Sequence, residues 1–166
     1  LRLKDLVAEV GRDVARYFMV MRKPESHLVF DYELAKNTSI ENPVYYVQYA
    51  HTRIASVFRE AEMAGELPAD LLSVDLSSLA DEREIALIKE LDRFPDVVRT
   101  AAHEFVPHLL CEYLENLSKL FHPYYAQVRI LGQGRATAAR LALLAGLKLV
   151  LGRGLSILGV SAPETM

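Results

Sequence analysis

Apolar residues recur along this chain at steps of three and four, the spacing of a helix that buries one face. Val47, Ala50, Ile54, Val57 and Ala61 form one stripe, and Leu110, Tyr113, Leu114, Leu117 and Phe121 form a second. A third, Leu141, Leu144, Leu147, Leu151, Leu155 and Leu158, runs through the most apolar part of the chain. No alternating run bounded by hairpin turns is long enough to suggest a sheet. The pattern predicts an all-α fold, a helical bundle of roughly five to seven helices.

Capping residues and prolines place the ends. Leu3 to Val10 and Asp13 to Arg22 read as two short helices hinged at Gly11, with a loop around Pro24 to Phe30. Asn42-Pro43 supplies an N-cap and a proline at the first helical position, opening a long helix that runs to about Met63. The stretch from Gly65 to Leu79 reads as an irregular connection. Asp81 and Glu84 fit a capping box for a helix whose apolar positions Ile85, Ile88 and Leu91 lead to Phe94. Pro95 and Pro107 each start a further helix, and His122-Pro123 is expected to end the second of these. After a Gly132-Gln133-Gly134 turn the leucine-rich helix closes the chain.

The composition, 51% hydrophobic and 25% charged over 166 residues, suits one domain with an ordinary core. The single cysteine, Cys111, has no disulfide partner and no second ligand at zinc spacing, so it reads as a core residue of a reducing compartment. No basic region followed by an apolar one marks a signal peptide, and the start at Leu1 reads as a domain boundary. Without a secretory signal, the sequons at Asn37 and Asn116 read as chance matches. The stretch Leu141 to Val160 contains Lys148 and Arg153 with Arg140 at its edge, which favours a packed helix over a membrane span.

A net charge of -3 argues against sequence-blind nucleic-acid binding, which needs an overall basic surface. The charges are segregated, however. From Glu60 to Asp96 eleven acids face three bases, whereas Asn116 to Pro163 holds six bases and no acid. One face could therefore meet phosphate while another keeps the chain soluble. Simple mixing of the charges on the folded surface is an equal alternative.

Tyr46, Tyr49 and Arg53 stand at i, i+3 and i+7, on one line of the long helix about 100° from its apolar stripe. Two rings with a guanidinium beyond them suit unpaired nucleotides, whose bases stack on aromatic faces and whose phosphates take a cation. Packing of both tyrosines with only their hydroxyls in water is the alternative. Tyr45 and Gln48 lie on a neighbouring line and are weaker candidates. Phe121-His122-Pro123-Tyr124-Tyr125 forms a second aromatic group inside the acid-free region, equally readable as hydrophobic packing. Catalytic readings fail. The five histidines show no His-Glu-x-x-His pattern, no nucleophile sits in a recognisable elbow, and Gly132-Gln133-Gly134 lacks a third glycine and a preceding strand. Asp31, Glu33 and Glu41 read as a solvated face and helix-start charges.

Asn42-Pro43-Val44-Tyr45-Tyr46-Val47-Gln48-Tyr49-Ala50-His51-Thr52-Arg53-Ile54 resembles the segment that opens the anticodon-binding bundle of bacterial arginyl-tRNA synthetases. Gly11-Arg12-Asp13-Val14-Ala15-Arg16-Tyr17-Phe18 resembles the motif for which the DALR domain is named, with valine and alanine at its middle positions. Ser26-His27-Leu28-Val29-Phe30-Asp31 and the ending Gly159-Val160-Ser161-Ala162-Pro163-Glu164-Thr165-Met166 are similar to the same family. The resemblance implies an all-α module in two parts. Residues 1–40 would be connecting and stem-contacting helices with the DALR-like motif, and residues 41–166 the anticodon-binding bundle.

It further implies that Tyr46, Tyr49, Arg53, Tyr125 and Met166 lie at the anticodon loop of an arginine tRNA, with Arg129 and Arg135 near phosphates. The longer enzyme would be a cytoplasmic, monomeric class I ligase using ATP and magnesium. Its His-Ile-Gly-His and Lys-Met-Ser-Lys signatures are absent here, so this piece is expected to be inactive, to need no cofactor, and to pair with the catalytic domain of its own chain. Two rival readings remain: a helical protein-interaction module using Leu141 to Leu158, and the DALR-type domain of a cysteinyl or glycyl enzyme.

Overall fold

A computed structural model describes residues 2–23, 25–26 and 29–166. Among the described residues there are eight helices and no strand. They are α1 (Leu3–Val10), α2 (Arg12–Val20), α3 (Tyr32–Lys36), α4 (Pro43–Met63), α5 (Glu82–Asp92), α6 (Phe94–His103), α7 (His108–Gln127) and α8 (Arg135–Leu158). The extra helix beyond the expected range is α3, a short one whose start Asp31 caps by accepting from the Leu34 amide at 2.9 Å. The family-like run from Ser26 to Asp31 includes His27 and Leu28, which lie outside the described residues.

Three long helices build the core. α4 packs against α7 and α8, α5 and α6 cover α7, and α2 closes one end by touching α4, α7 and α8. All three predicted stripes face inward, and each of their positions on α4, α7 and α8 is buried. α8 is long and apolar enough to cross a membrane, but its leucine stripe is fully occupied by the packing of this core. Cys111 is buried beside Tyr17, and burial pushes its thiol up to about 12. The core continues into the first forty residues, where Tyr17 is fully buried and donates to the Cys111 carbonyl and to Glu115.

Two local expectations fail for identifiable reasons. α5 does bear the capping box of Asp81 and Glu84, but its inward line is Glu84, Leu87 and Glu90, while Ile85 and Ile88 are left partly exposed. The buried carboxylate of Glu84 sets this register: it accepts from Arg140 Nε at 2.8 Å, from the Tyr124 hydroxyl at 3.3 Å and from the Asp81 amide at 3.1 Å. Hydropathy alone cannot anticipate a charged residue whose partners come from two other helices. The second failure is α7, which continues through Pro123 to Gln127. Proline removes the bond to the Lys119 carbonyl, and both residues lie on the solvent-exposed face of the helix. Phe121 and Tyr124, fully buried on either side, hold the helix together.

The segregated charges partly recombine. Arg140 pairs with Glu84 and Lys148 with Glu164, which removes two of the six cations of the acid-free region from any external role.

Candidate nucleic-acid interface

Asn42 fixes where α4 begins: its side chain accepts from the Val44 amide and donates to the carbonyls of Leu34, Ala35 and Asn37. That start places Tyr46, Tyr49 and Arg53 on one half-buried line beside the core stripe. Continuation of α7 through Pro123 brings His122 and Tyr125, three residues apart, against this line. Tyr124 turns into the core, so Tyr125 is the tyrosine of the pair that reaches the site.

The Arg53 guanidinium is the centre of the cluster. It lies 4.3 Å from the Tyr49 ring centroid and 5.1 Å from that of Tyr125, within cation–π range of both. Its Nη2 donates to the Tyr49 hydroxyl at 3.2 Å. His122 fills the other side, with its ring 4.6 Å from Tyr46 and 6.0 Å from Tyr49. A backbone carbonyl carries no proton, so the 3.2 Å contact between His122 Nε2 and the Tyr46 carbonyl assigns the proton to Nε2. Nδ1 is then the acceptor facing Arg53 Nη1 at 3.5 Å. Burial lowers the His122 pKa, the Tyr46 carbonyl opposes the shift, and Arg53 adds to it. Burial also raises the Tyr46 hydroxyl. The result is a neutral imidazole that orients a cation between two rings. That cation has no carboxylate partner among the described residues.

A depressed histidine pKa makes stability depend on pH with a definite sign. The unfolded chain takes up the proton first, near pH 6.5, so the contribution is complete above that value and is lost as pH falls from there through the folded pKa. Urea unfolding of the wild type and of His122→Gln at pH 7.5 and 5.5 is expected to show a stability gap that narrows in acid. A gap independent of pH would show that His122 does not titrate in this window.

Arg129 is exposed beside the cluster. It shares a surface hollow of about 350 Å³ with Tyr125, Val57, Glu60 and Glu66. Arg135, the first residue of α8, stands apart. It helps hold the Asp75 carboxyl below its usual range, after the larger effect of hydrogen bonds from Ser77. Met166 is 60% exposed, and neither it nor Arg135 makes a hydrogen bond or ring contact with the cluster. The weaker candidates have other roles. Tyr45 packs against the core, and Gln48 is buried and bonded to Ser161 and Asp13. His51 is satisfied by the Pro163 carbonyl.

One residue beside the site escaped the sequence reading, and another entered it only as a member of a group. His122 entered only within the aromatic group from Phe121 to Tyr125, because a helix ending at Pro123 gives no reason to set it against Tyr46 and Arg53. Arg59 lies two turns beyond Tyr49–Arg53 on α4 and bridges Ser56 to the Glu164 carbonyl. Only the folded tail reveals that contact.

Paired tyrosines around an arginine that no carboxylate among the described residues neutralises form a surface of the kind on which unpaired bases can stack. The DALR anticodon binding domain model matches residues 47–166, and the chain belongs to that family. It is 48% identical over 165 residues to the arginine–tRNA ligase of Geotalea daltonii and 49% identical over 165 residues to that of an Azoarcus species. These alignments cover 99% of this chain but 29% and 28% of the relatives, so the chain spans under a third of their length. The Thermus thermophilus arginyl-tRNA synthetase structure matches with a TM-score of 0.78 at 35% identity, over 95% of this chain and 27% of that one. A Campylobacter jejuni structure assigned to the same synthetase gives a TM-score of 0.88 at 30% identity, over 98% of this chain and 35% of that one.

Proposed function

We propose that this chain is the anticodon-reading part of an arginine–tRNA ligase and that its ligand is the anticodon stem-loop of an arginine tRNA. The observation that carries the reading is Arg53, held between the rings of Tyr49 and Tyr125 by His122 with no carboxylate among the described residues to neutralise it. Splayed bases stack on Tyr46, Tyr49 and Tyr125, and Arg53 takes a phosphate or a base edge. Arg129, next to Tyr125, and Arg135, farther along the surface, contact phosphates outside the stack. Met166 closes the site from the end of the tail.

The work of this part is recognition without bond making. Ligation of arginine, with ATP and magnesium, is assigned to the catalytic domain that makes up most of the longer enzyme, a cytoplasmic monomer. Residues 1–40 connect and brace against that domain, and residues 41–166 hold the loop. Binding energy collected here then positions the acceptor end for chemistry elsewhere.

Tyr49→Ala is expected to weaken binding of the stem-loop by about 1–3 kcal/mol, the scale of one lost stacking partner. Titration of fluorescently labelled RNA measures this. An unchanged affinity in a folded Tyr49→Ala chain would remove Tyr49 from the interface.

A further inference from the structure

The last residues after α8 form no regular structure, yet side chains from three helices tie them down. Gly159 ends α8 in a left-handed conformation, and the Arg16 guanidinium covers the Leu158 carbonyl there. The Asp13 carboxylate then accepts from both the amide and the hydroxyl of Ser161. Gln48 completes the knot, donating to the Ser161 carbonyl at 2.9 Å and to Asp13 at 3.2 Å. Farther on, the Pro163 carbonyl accepts from His51 Nδ1 at 2.9 Å and from Thr52 at 3.1 Å. Arg59 donates to the Glu164 carbonyl at 3.0 Å, and Lys148 pairs with the Glu164 carboxylate at 2.8 Å.

The tail thus descends α4 from Gln48 to Arg59. Successive anchors at Gln48, Thr52 and Arg59 define a line one residue, about 100°, from Tyr49, Arg53 and Ser56. Arg59 bridges the two lines by also donating to Ser56 at 2.8 Å. An extended segment whose carbonyls at 161, 163 and 164 are all bonded by side chains has its path fixed. Its free end, Met166, is 60% exposed.

We infer that Asp13 and Gln48 are positioning residues for nucleic-acid recognition: they clamp Ser161 and so fix the C-terminal tail as one wall of the site. This rests on the anticodon reading above. Asp13 touches no ligand in this scheme. It acts through the tail, which accounts for a carboxylate of the DALR-like motif lying on α2, away from the aromatic cluster.

The test uses the 166-residue chain and an arginine-tRNA anticodon stem-loop, with four proteins: the intact chain, Asp13→Ala, the chain lacking residues 164–166, and both changes together. Each change alone is expected to weaken binding about tenfold, and the combination no more than either, because both remove the same wall. The methyl resonance of Met166 should sharpen in Asp13→Ala, a signature that a general loss of stability would not produce. Asp13→Asn, which keeps an acceptor for the Ser161 amide, should restore most of the affinity. Unchanged affinity in the truncated chain overturns the inference, as does an equal Asp13→Ala effect in full-length and truncated chains. If the intact chain fails to bind the stem-loop, the anticodon reading itself is overturned, which is a distinct result.

Discussion

Glu84→Ala is expected to destabilise the fold by about 3–5 kcal/mol, the cost of stripping one partner from a buried, hydrogen-bonded ion pair. The Glu84 side chain is 1% exposed and that of Arg140 is 17% exposed, so the guanidinium left behind has little access to water. The substitution also orphans the hydroxyl of Tyr124, a fully buried residue whose ionisation burial and Glu84 together oppose, and it removes half of the α5 capping box. Each is a separate loss, and all three arise from one carboxylate. Urea unfolding followed by circular dichroism gives the number. Glu84→Gln should be milder, because its amide oxygen still accepts one bond while the charge of Arg140 goes unmatched. A loss below about 1 kcal/mol for Glu84→Ala would mean that water already solvates this pair.

The second large effect concerns the interface. Arg53→Ala is expected to weaken binding of the anticodon stem-loop by about 3 kcal/mol, roughly a hundredfold, since a charge-assisted bond to phosphate is lost. The neighbours are affected as well. Tyr49 loses its hydroxyl partner, Tyr49 and Tyr125 lose the cation they share, and His122 Nδ1 loses its donor. Arg53→Lys should recover only part of the loss, because an ammonium lacks the planar fork that reaches ring, hydroxyl and imidazole together. Combined with Tyr49→Ala, the two losses should fall short of their sum. Full additivity would contradict the picture of one cluster organised by Arg53.

How much of this was readable in the chain follows from the range of each interaction. Helix starts were legible where the cap is local, as at Asn42-Pro43 and at Asp81 with Glu84. Core stripes were legible because burial repeats with the helix period, and the line Tyr46, Tyr49, Arg53 was legible for the same reason. The inward face of α5 was not, since Glu84 is buried by partners 40 and 56 residues away. The part of α7 beyond Pro123 was also missed, because an exposed proline inside a well-buried helix resembles a helix end when only local rules apply. The place of His122 against Tyr46 and Arg53 was missed with it. The role of the tail was least accessible, as Asp13 and Ser161 are separated by 148 residues and neither type signals a clamp by itself.

Charge offered a mixed guide. The acid-free region does supply exposed cations at Arg129 and Arg135, but Arg140 and Lys148 are spent on internal pairs. The cation at the centre of the site, Arg53, lies outside that region altogether.

The most direct measurement is the affinity of this chain for the anticodon stem-loop of an arginine tRNA, compared with a loop changed at the central anticodon base, at two salt concentrations. The account predicts tighter binding of the unchanged loop, with affinity for it falling steeply as salt rises because phosphate contacts release counterions. Equal binding of the two loops, or binding indifferent to salt, would contradict it.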